Sequence, residues 1–311
     1  MTAGPVVLDG GLSTELERAG HDISSALWSA RLLRDDPTAV RLAHAAFFAA
    51  GAQVATTASY QATFEGFAAA GIDRSEARAL MVRSVALARA AAARAPRVGQ
   101  TWVAGSVGPY GAMLADGSEY TGAYTDPGWT RRAAGGLSIA ELRAFHRPRL
   151  TVLAEAGSDV LACETIPAAA EAEALLAEIV VLGVPAWLSL TTVVDREGVV
   201  RTRRGEPAAE VWALARGVDA VIAVGVNCTE PAGVHAAVVE AAAASGKPVV
   251  AYPNSGERWD AAARRWSRPA GPAMDRIVPW VAAGARLVGG CCRIGPDDLR
   301  RIATAVRDGL R

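Results

Sequence analysis

Residues 159–193 read DVLACETIPAAAEAEALLAEIVVLGVPAWLSLTTV. Two short runs rich in apolar and β-branched residues, DVLACETI and PAWLSLTTV, flank a longer stretch from Ala168 to Leu182. In that stretch the alanines, leucines and isoleucine recur at helical spacing. Gly183 then stands where a helix C-cap is expected. Strand, helix and strand joined this tightly predict a βαβ unit, and such units build parallel sheets.

The same unit recurs outward in both directions. PVVLDG, AQVATTAS and TWVAGSVG precede it as strand candidates, and AVIAVGVNC, PVVAYPNS and ARLVGGCC follow. Helical patterns separate them, including Pro37 to Gly51, Arg74 to Ala95, Ile139 to Gly157 and Pro296 to Leu310. Gly51, Gly157 and Gly284 repeat the C-cap signal of Gly183. Eight strands alternating with helices close a (β/α)8 TIM barrel, and one such domain, 1–311, accommodates the whole chain with insertions at its rim. Each apolar run ends in a polar or special residue: Asp9, Ser59, Ser106, Glu164, Thr191, Cys228, Asn254, and Cys291 with Cys292. A barrel gathers these at its C-terminal rim, where active sites form. An open sheet would spread them along an edge, about 4.8 Å per strand. Tyr110 to Ser138 is expected to be an insertion covering the rim, and Val194 to Pro207 a mobile loop.

The chain has 311 residues, 51% of them apolar and 21% charged, with a formal net charge of zero. That composition is globular. No basic block or acidic tail points to nucleic acid or to an anionic membrane surface. The apolar runs fall short of the roughly 20 residues that a membrane span needs. MTAGPVVLDGG lacks the basic region of a signal peptide, so the expected location is the cytoplasm. Thiols stay reduced there, and the four cysteines read as metal ligands, catalysts or core filler before they read as disulfides.

Cys228 ends the sixth strand, and Cys291 and Cys292 end the eighth. Three thiolates at one rim suit zinc, a soft, tetrahedral cation with Zn–S distances of about 2.3 Å. Adjacent cysteines share an ion only where the strand has ended and the backbone turns, and Gly289 with Gly290 supplies the freedom to turn. The plain alternative is that small residues pack at strand ends, and that reading is preferred for Cys163. The four histidines, His21, His44, His146 and His235, lie elsewhere in the sequence. Three ligands leave an open coordination position, the mark of catalytic zinc. With three thiolates zinc is a poor Lewis acid, yet it deprotonates a coordinating thiol, which favours alkyl transfer onto sulfur over hydrolysis. A zinc hydrolase or a metal-storage thiol protein remains the rival from another class.

The sequence resembles the homocysteine S-methyltransferases, most closely the bacterial enzymes that use S-methylmethionine. LDGGLSTELERAG, LWSARLL, GAQVATTASYQAT, GSVGPYGAMLADGSEY, FHRPRL, LACETIP, GVNC, YPNSGE and GARLVGGCCR carry the likeness over nearly the whole chain. The resemblance implies the (β/α)8 fold and one zinc on Cys228, Cys291 and Cys292, with the homocysteine sulfur as fourth ligand. It places the amino-acid-binding carboxylates on Asp9 and Glu164, and it requires no catalytic side chain because the metal activates the substrate thiolate. Both carboxylates suit an ammonium held by charge-assisted hydrogen bonds. The expected donor is S-methylmethionine, with S-adenosylmethionine as a second candidate. The alternatives are betaine as donor or a selenol as acceptor. Thr165 stands where the related betaine enzymes carry a tyrosine that closes the zinc site. Tyr60, Tyr110, Tyr120 and Tyr252 are candidate contacts for a cationic donor. Asn254, Ser255 and Glu257 are similar candidates, and Asn227 is expected to orient the site from beside a ligand. The loop carrying Arg203, Arg204 and Glu206 is the least family-like stretch. The expected state is a monomer or small homo-oligomer.

Overall fold

In the computed structural model, residues 4–24, 27–95, 99–257, 259–260, 265–266 and 276–309 are described. Eight strands form one sheet: β1 (Val6–Val7), β2 (Val54–Thr56), β3 (Trp102–Val107), β4 (Val160–Ile166), β5 (Ala186–Leu190), β6 (Val221–Asn227), β7 (Val249–Tyr252) and β8 (Ala285–Val288). Their order is β1-β8-β7-β6-β5-β4-β3-β2, and every ladder is parallel. A parallel bridge from Leu8 to Val54 joins the two ends. Beside it the Gln53 amide donates to the Val7 carbonyl at 2.7 Å, and the Val7 amide donates to Gln53 Oε1 at 3.1 Å. The sheet thus closes into the expected (β/α)8 barrel.

Strand parity sorts the side chains into two cores. Leu8, Val54, Ala104, Ala162, Trp187, Ala223 and Val250 fill the interior, joined by the half-buried Leu287, so all eight strands contribute. Trp187 is the largest of these, and its indole N–H donates to the Tyr252 hydroxyl at 3.0 Å. The alternate residues, such as Val7, Val103, Cys163, Leu188, Val224 and Val288, face the helices. Both faces are buried, which is why these strands read as continuous apolar runs.

The helices begin and end where their signals stand. Asp36 accepts from the Ala39 amide at 3.0 Å, Pro37 opens helix Pro37–Ala50, and Gly51 closes it at φ 110°. Ser138 and Glu141 form a capping box on helix Ile139–Glu155. Helix Ala169–Leu182 stops at Gly183, φ 65°. The last helix spans Pro296–Asp308; Leu310, expected to end it, lies outside the described residues. No described helix is long and apolar enough to cross a membrane.

One expectation is corrected. Residues 194–207 are not a plain loop, because Thr192–Val194 and Val200–Thr202 pair as an antiparallel hairpin. Asp195 makes the turn by accepting the Glu197 and Val199 amides, each at 2.9 Å, with Gly198 at φ 83°. β-branched residues on both sides of that turn supply the ladder.

Candidate metal centre

β6 ends at Asn227, and Cys228 follows at φ 45°, a left-handed conformation for a non-glycine residue. β8 ends at Val288, and Arg293 carries the corresponding positive φ of 68°. Gly289 and Gly290 do not supply a left-handed turn. Their role is room: a Cβ on Gly289 would lie 2.7 Å from the Asp9 carbonyl oxygen, and one on Gly290 would collide with Ile294. That closeness lets the Gly290 amide donate to the Asp9 carbonyl at 3.0 Å. The Cys291 amide donates to the Pro253 carbonyl at 2.8 Å, and the Ser255 amide to the Cys292 carbonyl at 3.1 Å. The chain leaves the strand at once, and both adjacent thiols face the Cys228 side.

The three Sγ atoms lie within 4.8 Å of one another, with Cys228 and Cys292 at 4.0 Å. A tetrahedral ion with bonds of about 2.3 Å sets its ligand sulfurs about 3.8 Å apart, so the cluster fits such an ion. It is the one group of three His, Cys, Asp or Glu side chains among the described residues that could hold a metal. Hydrogen bonds from Cys228 and Cys291, helped by one from Tyr120, hold the Cys292 thiol well below its usual range. One thiolate supported by two thiols is a ready start for cation binding. Cys163 faces the helices instead, and burial pushes its thiol up to about 12.

Asp9 and Glu164 open into the same cavity as the thiols. Thr56 fixes Asp9 twice, through its amide at 2.7 Å and its hydroxyl at 2.8 Å. Ser106 and Tyr252 donate to Glu164. Burial pushes both carboxyls up to about 7, against the hydrogen bonds that pull them down. No lysine, arginine or histidine is among the described residues lining the cavity. The pocket is therefore built for positive charge.

Tyr60, Tyr120, Tyr252 and Asn227 line the cavity together with Thr165. Tyr110 lies outside the lining, packed against Tyr124 and Phe145. Asn254, Ser255 and Glu257 are outside it as well; Glu257 accepts from Arg293 at 2.8 Å. Sequence reasoning missed Thr56, Gln61 and Trp28. Thr56 was findable by strand parity, since β2 ends there and not at Ser59.

The covering segment lies where expected, as helix Tyr110–Leu114 and single turns at Ser118–Tyr120 and Ala123–Thr125. The buried Glu171 fastens it, accepting from the Tyr110 amide at 2.7 Å and from the Tyr124 hydroxyl. His146 contacts Glu171 at 2.8 Å through Nε2, while its Nδ1 faces Arg149 Nη2 at 2.8 Å. Arg149 donates only, so Nδ1 accepts and Nε2 carries the proton. The same guanidinium donates to the Gly108 carbonyl and, at 3.5 Å, to that of Tyr60. From the other side, Arg203 sits 5.9 Å from the Tyr120 ring, and Arg204 pairs with Asp126.

A family model described as homocysteine S-methyltransferase matches residues 6–306. The Escherichia coli (strain K12) homocysteine S-methyltransferase is 44% identical, over 94% of this chain and 93% of its own. A selenocysteine Se-methyltransferase of Brassica oleracea var. italica is 39% identical, over 97% and 88% respectively. The crystal structure of the metallated E. coli homocysteine methyltransferase MmuM superposes with a TM-score of 0.82 at 40% identity, covering 97% of this chain and 96% of that one.

Proposed function

This chain belongs to the homocysteine S-methyltransferase family and is a methyltransferase acting on homocysteine, and from that premise we propose how its residues hold the acceptor and which donor they serve. Cys228, Cys291 and Cys292 would hold one zinc ion. When bound, zinc supplies one piece of chemistry here, the loss of a coordinating thiol's proton at neutral pH. Asp9 and Glu164 grip the homocysteine ammonium, and Thr56, Ser106 and Tyr252 aim their oxygens.

The donor is S-methylmethionine. Its methylsulfonium enters a cavity lined by acids and by the Tyr60, Tyr120 and Tyr252 rings, which suit a cation. A lone pair on the homocysteine thiolate forms the new S–CH3 bond as the sulfonium C–S bond breaks. The bonding pair stays on the donor sulfur, and two methionines leave. Opposite charges disappear in this step, so the covering segment assists by excluding water. Holding sulfur and methyl about 3–3.5 Å apart contributes roughly 7–11 kcal/mol toward the barrier.

The observation that carries this reading is the meeting of three thiols and two buried carboxylates in one cavity that no lysine, arginine or histidine among the described residues lines. A second reading, a selenol acceptor, is favoured by the likeness to a selenocysteine Se-methyltransferase. Betaine is the alternative donor, and S-adenosylmethionine a secondary one. We infer that residues 1–311 work as one domain in the cytoplasm, as a monomer or small homo-oligomer.

The test pairs metal analysis with a donor panel. Expected are one zinc per chain and the fastest turnover with S-methylmethionine among equal concentrations of the three donors. Cys291→Ala should lose zinc and turnover together while its far-UV circular dichroism stays unchanged. Normal turnover by that variant would sink the site, and a preference for betaine would sink the donor.

A further inference from the structure

We propose that Asn227 is a positioning residue that gauges acceptor length, a role that rests on the acceptor site described above. Asn227 is fully buried beside Cys228, and its side-chain amide is bonded to β4 and to β5. Its Oδ1 accepts from the Thr165 amide at 2.7 Å and from the Ser189 hydroxyl at 2.8 Å, and its Nδ2 donates to Thr165 Oγ1 at 2.7 Å. Three of its four hydrogen-bonding positions are filled.

Thr165 follows Glu164 directly, and it holds φ 62°, an outlier for a β-branched residue. β4 breaks register between Cys163 and Ile166, so no regular ladder fixes Glu164 and Thr165. Cys228 is likewise left-handed, at φ 45°. One unfavourable backbone conformation thus directly follows the proposed ammonium-binding carboxylate, and the other is that of a proposed metal ligand itself. Such conformations persist only where the surroundings over-determine them. For Thr165 the Asn227 amide is that constraint, a staple from the β6 tip to the β4 tip across β5.

The consequence is a fixed span. Homocysteine bridges the two strand tips, with its ammonium at Glu164 and its sulfur at the cysteines. An acceptor with one methylene fewer, cysteine or selenocysteine, falls short by about one C–C bond. A rigid gap penalises it, and a loosened gap adapts to it.

The test uses the zinc-loaded enzyme with S-methylmethionine and compares L-homocysteine with L-selenocysteine. Asn227→Ala should keep one zinc per chain, raise KM for homocysteine more than it lowers kcat, and reduce the homocysteine-to-selenocysteine ratio of kcat/KM by about tenfold or more, the effect of losing one or two net hydrogen bonds. Thr165→Val, which removes the hydroxyl bonded to Asn227 and to Tyr60, should shift the ratio the same way, and Thr165→Ser, which keeps it, should restore the wild-type value. The Thr165 pair decides the matter should Asn227→Ala not fold. An unchanged ratio with kcat/KM lowered equally for both acceptors would overturn the gauge and leave Asn227 a structural residue. Wild-type enzyme that transfers no methyl group to homocysteine would instead overturn the proposed function and, with it, this inference.

Discussion

Asp9 and Glu164 are buried acids, and the ammonium proposed to lie between them would change how they titrate. Burial pushes each up to about 7, and an ammonium between them pulls both down. The sign for stability follows from linkage. In the unfolded chain these groups titrate near their ordinary values of 3.8 and 4.5, so the folded protein binds protons more tightly. Their contribution is full in acid and is lost as pH rises from about 4 to about 7. The sign for binding is opposite, because the cation needs both carboxylates ionised. Methionine, the product, is the clean probe, since its thioether has no proton to lose. Its affinity should rise between about pH 5.5 and 7.5, by up to about tenfold per pH unit for each carboxylate. Calorimetric titration across that range checks this, and Asp9→Asn should flatten the dependence. An affinity independent of pH would mean the ammonium is held elsewhere.

At the scale of one element, helix Pro37–Ala50 carries His44 on its buried side, and neither ring nitrogen has a partner among the described residues. Burial lowers its pKa from 6.5 to about 4. On acidification the unfolded chain takes the proton first, so stability from the neutral ring is lost as pH falls from about 6.5 to about 4. His44→Leu should therefore be more stable than the wild type at neutral pH, by about 1–3 kcal/mol. The gap should widen on acidification by up to about 3 kcal/mol. Urea unfolding at several pH values measures it, and a constant gap would show that a hydrogen-bond acceptor stabilises the His44 imidazolium in the fold. This helix was legible in the sequence because its signals are local: Asp36, Pro37 and Gly51 act within one turn of its ends. The 192–202 hairpin was not, since Asp195, Arg196, Glu197 and Gly198 carry the polarity of a loop while the pairing lies in the flanking β-branched residues. In the site, the three cysteines were legible as an unusual residue type at strand ends. The Asn227–Thr165 staple was not, because it joins residues 62 apart through backbone conformations that no local pattern encodes.

Across the whole molecule, stability and chemistry occupy different places. The interior layer of Leu8, Val54, Trp187 and Val250 lies below the rim, and the Leu8–Val54 bridge closes the barrel without help from the cysteines. The thiols sit beyond the last ladder residues of β6 and β8; the Cys291 amide donates to the Pro253 carbonyl, and the Cys292 carbonyl accepts from the Ser255 amide. Metal removal and core truncation should therefore fail in different ways. Chelation should abolish methyl transfer, leave the far-UV circular dichroism unchanged, and lower the unfolding free energy only by the binding linkage, about 3–4 kcal/mol at 100–1,000 times Kd. Added zinc should restore turnover. Trp187→Ala removes the largest interior side chain and its hydrogen bond to Tyr252, and should cost about 3–5 kcal/mol with zinc still bound. Scanning calorimetry with metal analysis separates the two. A chain that unfolds on chelation would show that the rim cysteines hold the barrel itself together, since the ion would then bridge β6 and β8 in place of the ladder through β7.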